Sequence, residues 1–123
     1  MANTTKRPLS VTIIGCLYIL AGCAGLAYHF SDFRAHPLEL GGLGIEFVRV
    51  LAIVAGVFLL RGANWARWLA LVWMAFHVAI GYLNGWTQML IHAVFLVIIA
   101  FFLLSRSAND YFADNHRAQT KEG

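Results

Sequence analysis

The chain has 123 residues, of which 60% are apolar and 12% are charged, and its formal net charge is +3. Soluble domains carry roughly a quarter charged residues, so this composition excludes an ordinary water-soluble globular protein. The cations flank apolar stretches and form no basic face, which argues against nucleic-acid binding. The composition therefore predicts the lipid bilayer as the main partner of the chain.

Four apolar stretches dominate the sequence. They lie at about residues 9–30, 43–60, 65–83 and 88–104. A helix rises ~1.5 Å per residue, so stretches of this length suit a hydrocarbon layer of ~30 Å. The short links between them favour antiparallel neighbours, and the predicted fold is an all-α, integral membrane antiparallel four-helix bundle. The predicted organisation is a cytoplasmic lead (1–8), a four-helix transmembrane domain (9–104) and a cytoplasmic tail (105–123).

The first stretch contains a sequence that favours a different topology. Residues 20–23, Leu-Ala-Gly-Cys, resemble the cleavage box of a bacterial lipoprotein signal. Cleavage would make Cys23 the lipidated N-terminus and would leave three spans. Because residues 24–30 continue apolar, whereas a lipoprotein usually turns polar after its cysteine, we expect the span to stay intact.

The connections between the stretches have recognisable turn chemistry. Residues 31–44 are predicted to form an outer loop, with a helix restart near Pro37. The link of residues 61–64 is predicted to be a tight cytoplasmic turn in which Asn64 caps the third helix. Beyond the fourth stretch, we expect a short helix through Phe112 and then disorder.

The distribution of the cations predicts the orientation. If the chain crosses four times, most of them fall on one side, namely Lys6, Arg7, Arg61, Arg67, Arg106, Arg117 and Lys121. The opposite side has only Arg34, and Arg49 lies inside a span. The positive-inside rule therefore predicts that both termini are cytoplasmic. The predicted location is the inner membrane of the cell.

The costly polar residues gather in the outer half of the spans. Polar groups near the centre of a membrane cost about 2.5 to 3.5 kcal/mol each, so their positions are informative. The candidate ligand-binding residues are Glu46, Arg49, His77 and His92. Glu46 and Arg49 are spaced i, i+3, which allows an ion pair on one helix. This pair is either purely structural, or it holds Arg49 ready for an anionic or carbonyl-bearing ligand.

His77 and His92 lie at similar depth on adjacent predicted helices. Two imidazoles so placed can ligate haem, hold a transition metal together with Glu46, or serve a quinone or a proton relay. The plainer interpretation is that each histidine hydrogen-bonds a carbonyl or a neighbouring side chain. No cofactor is firmly predicted, and haem, metal and quinone remain alternatives.

Residues 61–68, Arg-Gly-Ala-Asn-Trp-Ala-Arg-Trp, carry a family resemblance. With the four-span layout, this link resembles small bacterial inner-membrane proteins. The resemblance implies the fold and the location, and it supplies no catalytic residue. Small four-helix multidrug exporters have a similar length, but the first span here has no proton-exchanging glutamate, and the nearest acid is Glu46.

The predicted function is that of an accessory or interaction protein, acting as a homo-oligomer or with a larger membrane partner; an enzyme is not favoured. The physical reason for this prediction is that helix faces made of small residues can pack against another chain. The alternatives are a redox or ligand-binding protein that uses the outer polar residues, and a minimal transporter that depends on Glu46.

Overall fold

The computed structural model describes residues 6–35 and 40–122, and all the secondary structure in these two ranges is helical. The helices are α1 (Leu9–Ala35), α2 (Leu40–Leu60), α3 (Asn64–Asn84), α4 (Trp86–Leu103) and α5 (Arg106–Glu122). The first four are long and apolar enough to cross a membrane. The all-helical part of the fold prediction is thus confirmed.

The helices are longer than the apolar stretches that predicted them. α1 continues to Ala35 and α2 starts at Leu40, so most of the predicted outer loop is helical. Pro37, the predicted restart point, lies outside the described residues. The tail prediction is also wrong in its extent, because α5 runs without a break to Glu122. Its first turns bury Ala108, Tyr111 and Phe112 against the other helices, which anchors the segment as a helix.

Consecutive helices pack on one another. The most extensive contacts join α1 to α2 and α3 to α4, followed by α2 to α3, whereas α1 touches α4 only lightly. α5 lies against α3 and α4. This arrangement places every helix beside its sequence neighbour, and α1 meets α4 much less extensively than it meets α2.

Glycines set the close approach of α1 and α2. A Cβ atom on Gly56 would lie 2.6 Å from the carbonyl oxygen of Gly15, and one on Gly22 would lie 2.8 Å from the carbonyl oxygen of Arg49. Such distances are shorter than van der Waals contact, so no larger residue fits without moving a backbone. Small residues at a helix interface allow this kind of close packing.

The turn between α2 and α3 is closed by backbone hydrogen bonds. Gly62 has φ +78°, its N–H donates to Leu59, and the N–H of Ala63 donates to Phe58. These bonds form a Schellman motif, which favours glycine at the left-handed position. The predicted cap is wrong: Asn64 is the first helical residue, and Ala63 occupies the N-cap position without a side-chain bond.

The buried side chains concentrate toward this turn. The core consists of Val11, Ile14, Tyr18, Ala52, Ala55, Leu59, Ala63, Ala66, Ala70, Met74, Ile99, Leu103, Ala108, Tyr111 and Phe112. Most of them lie in the halves of the helices near residues 61–63. Toward the opposite end the packing is looser, and that end contains the polar residues singled out in the sequence.

Candidate functional site

The ion pair expected from the i, i+3 spacing is present on α2. Nη1 of Arg49 lies 2.9 Å from Oε1 of Glu46. The two side chains are 20% and 25% exposed, so the pair is mostly withdrawn from solvent. Nδ1 of His29, on α1, is 4.0 Å from the same carboxylate oxygen. His29 therefore lies at the edge of the charged cluster.

Gly25 makes room for the Arg49 side chain. A Cβ atom at Gly25 would lie 2.8 Å from Nε and 2.9 Å from Cδ of Arg49. The arginine thus lies over a bare stretch of the α1 backbone. Sequence reasoning did not connect these two residues, because the rotation of α1 relative to α2 decides whether they meet.

A groove of about 500 Å³ opens between α2 and α3 at this end of the molecule. Its wall is formed by Gly44, Ile45, Val48, Arg49, Trp73, Phe76, His77 and Ile80. Arg49 and His77 are the only ionisable members of this set, and all the others are apolar or aromatic. We call this space the Arg49 groove. Its composition suits a ligand with one polar end and an apolar body.

Trp73 organises the α3 side of the groove. Its Nε1–H donates to the carbonyl oxygen of Val48 over 2.8 Å, which ties α3 to α2. Its ring centroid lies 3.9 Å from that of His77 and 5.2 Å from that of Tyr18. Trp73 is not among the residues that the sequence singles out, although it is the one tryptophan placed deep within a span.

His77 and His92 are brought together as expected. Their ring centroids are 5.7 Å apart, with planes inclined by 29°. Nδ1 of His77 lies 2.8 Å from the carbonyl oxygen of Trp73, and Nδ1 of His92 lies 2.8 Å from that of Gln88. A carbonyl only accepts, so each Nδ1 donates to it, and in a neutral ring Nε2 can then accept a hydrogen bond. The plainer interpretation, a bond to a carbonyl, therefore describes both residues.

Stacked imidazoles are a poor arrangement for haem. Axial ligation needs two rings on opposite faces of the porphyrin with their nitrogens directed at one iron, whereas these rings present their faces to each other. Within residues 6–35 and 40–122, no cluster of three or more His, Cys, Asp or Glu side chains could hold a metal ion.

The four candidate residues thus form two pairs that meet at one groove. Arg49 and His77 line it directly, while Glu46 reaches it through Arg49 and His92 through the stack on His77. Comparison of the chain with protein-family models, curated proteins and solved structures finds no match.

Proposed function

We propose that the chain is an antiparallel four-helix bundle that spans the inner membrane of a bacterial cell, with both termini in the cytoplasm. Support comes from large apolar side chains on the outer faces of all four long helices. Leu20, Phe47, Val72 and Val97 are between 64% and 69% exposed. Apolar surface on this scale is stable against lipid and prone to aggregate in water.

Cysteine labelling tests this topology. In a Cys16→Ser, Cys23→Ser background, Asn84→Cys is expected to react with a membrane-impermeant maleimide on intact cells. Arg61→Cys, at the opposite end of α3, should react only after the membrane is opened. Equal labelling of both positions on intact cells, or recovery of the chain without detergent, would contradict the proposal.

Within that membrane setting, we propose that the chain binds an amphiphile whose acidic or carbonyl oxygen pairs with Arg49. The observation that carries this function is the position of a guanidinium on the wall of an otherwise apolar groove. An arginine within a span is costly to insert and is retained mainly where it has a partner or a ligand. Glu46 holds the guanidinium in place while the groove is empty.

Each groove residue then has a defined part in binding. The ligand oxygen accepts hydrogen bonds from the Arg49 nitrogens that Glu46 does not use. Nε2 of His77 accepts a hydrogen bond from a hydroxyl or a protonated carboxyl group at the same polar end of the ligand. Phe76 and Ile80 contact the apolar body of the ligand, and the bond from Trp73 to Val48 keeps the two walls at a fixed distance.

A binding measurement with purified protein tests this function. We expect a long-chain carboxylic acid to bind wild type, and Arg49→Met to weaken it by roughly tenfold to a hundredfold, since a charged hydrogen bond contributes about 1.5 to 3 kcal/mol. Arg34→Met, which changes an exposed arginine outside the groove, is the matched control. Glu46→Gln should bind more tightly, because it removes the competing carboxylate.

The outcomes also separate the alternatives. Equal affinity in wild type and Arg49→Met, for both a carboxylic acid and a quinone, would refute the groove as a site. Proton-coupled flux in liposomes that disappears in Glu46→Gln would instead indicate a transporter.

An accessory role is a second proposal, with a separate observation in its favour. The outward side of α1 carries the small, exposed residues Cys16, Cys23, Ala24 and Ala27. Small residues allow a helix of another subunit or of a larger partner to approach closely. Mild oxidation in membranes should then give a disulfide-linked species that Cys23→Ser lacks. Only monomer at native expression would contradict it.

A further inference from the structure

A second groove lies between α1 and α4, at the end of the helices near residues 61–63. Its volume is about 370 Å³. Apolar side chains form nearly all of its wall, among them Leu9, Ile13, Leu17, Phe95, Ile98 and Phe102. The groove exists because α1 makes only a light contact with α4. We call it the α1–α4 groove.

The length of this groove matches one leaflet of a bilayer. Its lining residues run along α1 from Leu9 to Tyr18, about 13 Å at ~1.5 Å per residue. Half of a ~30 Å hydrocarbon core is about 15 Å. The groove therefore begins at the end of the helices and stops near the depth at which an acyl chain of the same leaflet ends.

The groove is lined by residues of α1 and α4 alone, and nearly all of them are apolar, which suits the hydrocarbon of a lipid.

Two cations flank the groove residues in the sequence, on the side of residues 61–63. Lys6 precedes Leu9 by three residues, Arg106 follows Phe102 by four, and both are exposed. Arg7, in contrast, is already used, since it donates to Thr12 and to the carbonyl oxygen of Leu60. A negatively charged headgroup at the surface of this leaflet would therefore meet two cations close to the point where its acyl chain enters the groove.

We infer that the α1–α4 groove binds one acyl chain of an anionic phospholipid, with its headgroup between Lys6 and Arg106. The lipid belongs to the leaflet on the side of those two residues. This site depends on the proposed membrane insertion, and it is separate from the Arg49 groove at the other end of the helices. Binding there fills the seam that the protein itself leaves open.

Native mass spectrometry of the full chain tests the site. Detergent-solubilised protein is supplied with phosphatidylglycerol or with phosphatidylcholine of the same acyl composition. We expect one phosphatidylglycerol to stay bound under activation that removes phosphatidylcholine. Ile13→Trp fills the groove and should abolish this retention, whereas Ile91→Trp should keep it, because Ile91 is equally exposed, at 50%, but lies outside the groove.

A second set of variants tests the headgroup. Lys6→Gln with Arg106→Gln should reduce retention of phosphatidylglycerol to the level of phosphatidylcholine, and Lys121→Gln should not. Leu17→Trp replaces Ile13→Trp if that variant does not elute as a folded protein. Retention in a folded groove-filled variant, or equal retention of both lipids by wild type, would overturn the inference. Loss of carboxylic acid binding in Arg49→Met would leave these lipid-binding results unchanged. Each of the two proposed sites can therefore be refuted without the other.

Discussion

Arg7 and Tyr111, from opposite ends of the chain, donate hydrogen bonds to the same carbonyl oxygen. That acceptor belongs to Leu60, the last residue of α2, and the distances are 2.8 Å from Nη1 of Arg7 and 3.0 Å from the hydroxyl of Tyr111. The last carbonyls of a helix have no partner within it, so side chains from elsewhere can satisfy them. One orphan acceptor thereby joins the N-terminal segment, α2 and α5.

Tyr111→Phe is expected to loosen α5 without unfolding the long helices. The hydroxyl makes one hydrogen bond, worth about 1 kcal/mol, and Leu60 keeps its bond from Arg7. Hydrogen exchange of the α5 amides should accelerate by about fivefold, while that of α2 changes little. Tyr82→Phe, an exposed tyrosine on α3, is the control, and equal acceleration in both variants would contradict the role of this bond.

The docking of α5 should also depend on alkaline pH. Burial raises the pKa of Tyr111 above its ordinary value of 10, an effect that the neighbouring Arg7 partly opposes. The neutral hydroxyl is thus favoured in the docked state. The docking stability is intact below pH 10, and it falls as the pH rises from 10 through the raised pKa. Exchange of the α5 amides against pH should show this step in wild type and lack it in Tyr111→Phe.

Two glycines of α2 should respond in opposite ways to the same substitution. Gly56→Ala would force a methyl group against the Gly15 backbone and should destabilise the fold by about 1 to 3 kcal/mol. Gly44→Ala meets no atom within 4 Å and should be neutral or stabilising by up to about 1 kcal/mol, because alanine favours helix. Unfolding in mixed micelles of increasing SDS content measures both. Equal losses would mean that α1 and α2 do not meet at Gly56.

Removing one member of the Glu46–Arg49 pair should cost more than removing both. Either Glu46→Gln or Arg49→Met leaves a partly buried charge without its partner, at a cost of about 2 kcal/mol in the free energy of unfolding. The double variant should recover most of that loss, because no charge remains to be desolvated. A double-mutant cycle in the same SDS titration measures the coupling, and simple additivity would show that the pair is not coupled.

Hydrophobic length and local spacing predicted the helical framework well. The four apolar stretches locate α1 to α4 because a run of that length has few alternatives to a long helix. The Glu46–Arg49 contact was also predictable, since residues i and i+3 always share a helix face. These features depend only on residues that lie within a few helical turns of one another in the sequence.

Features that depend on helix rotation and docking were not predictable. Gly25 meets Arg49, and Trp73 meets Val48, only because the helices take one particular rotation about their axes. The full length of α5 escaped prediction for a related reason. Its polar composition beyond Phe112 suggests disorder, whereas the packing of its first turns holds the helix in place.

The shared acceptor at Leu60 has a practical consequence for anyone attaching a reporter. A fluorescent protein or purification handle fused close to Arg7 disturbs the same hydrogen bonds to Leu60 as one fused close to α5. The two fusions are therefore not independent checks on each other. The turn at Gly85 is separate from both the Arg7 segment and α5, since a side chain there would meet nothing within 4 Å. An epitope inserted at that turn would leave the hydrogen bonds to Leu60 undisturbed.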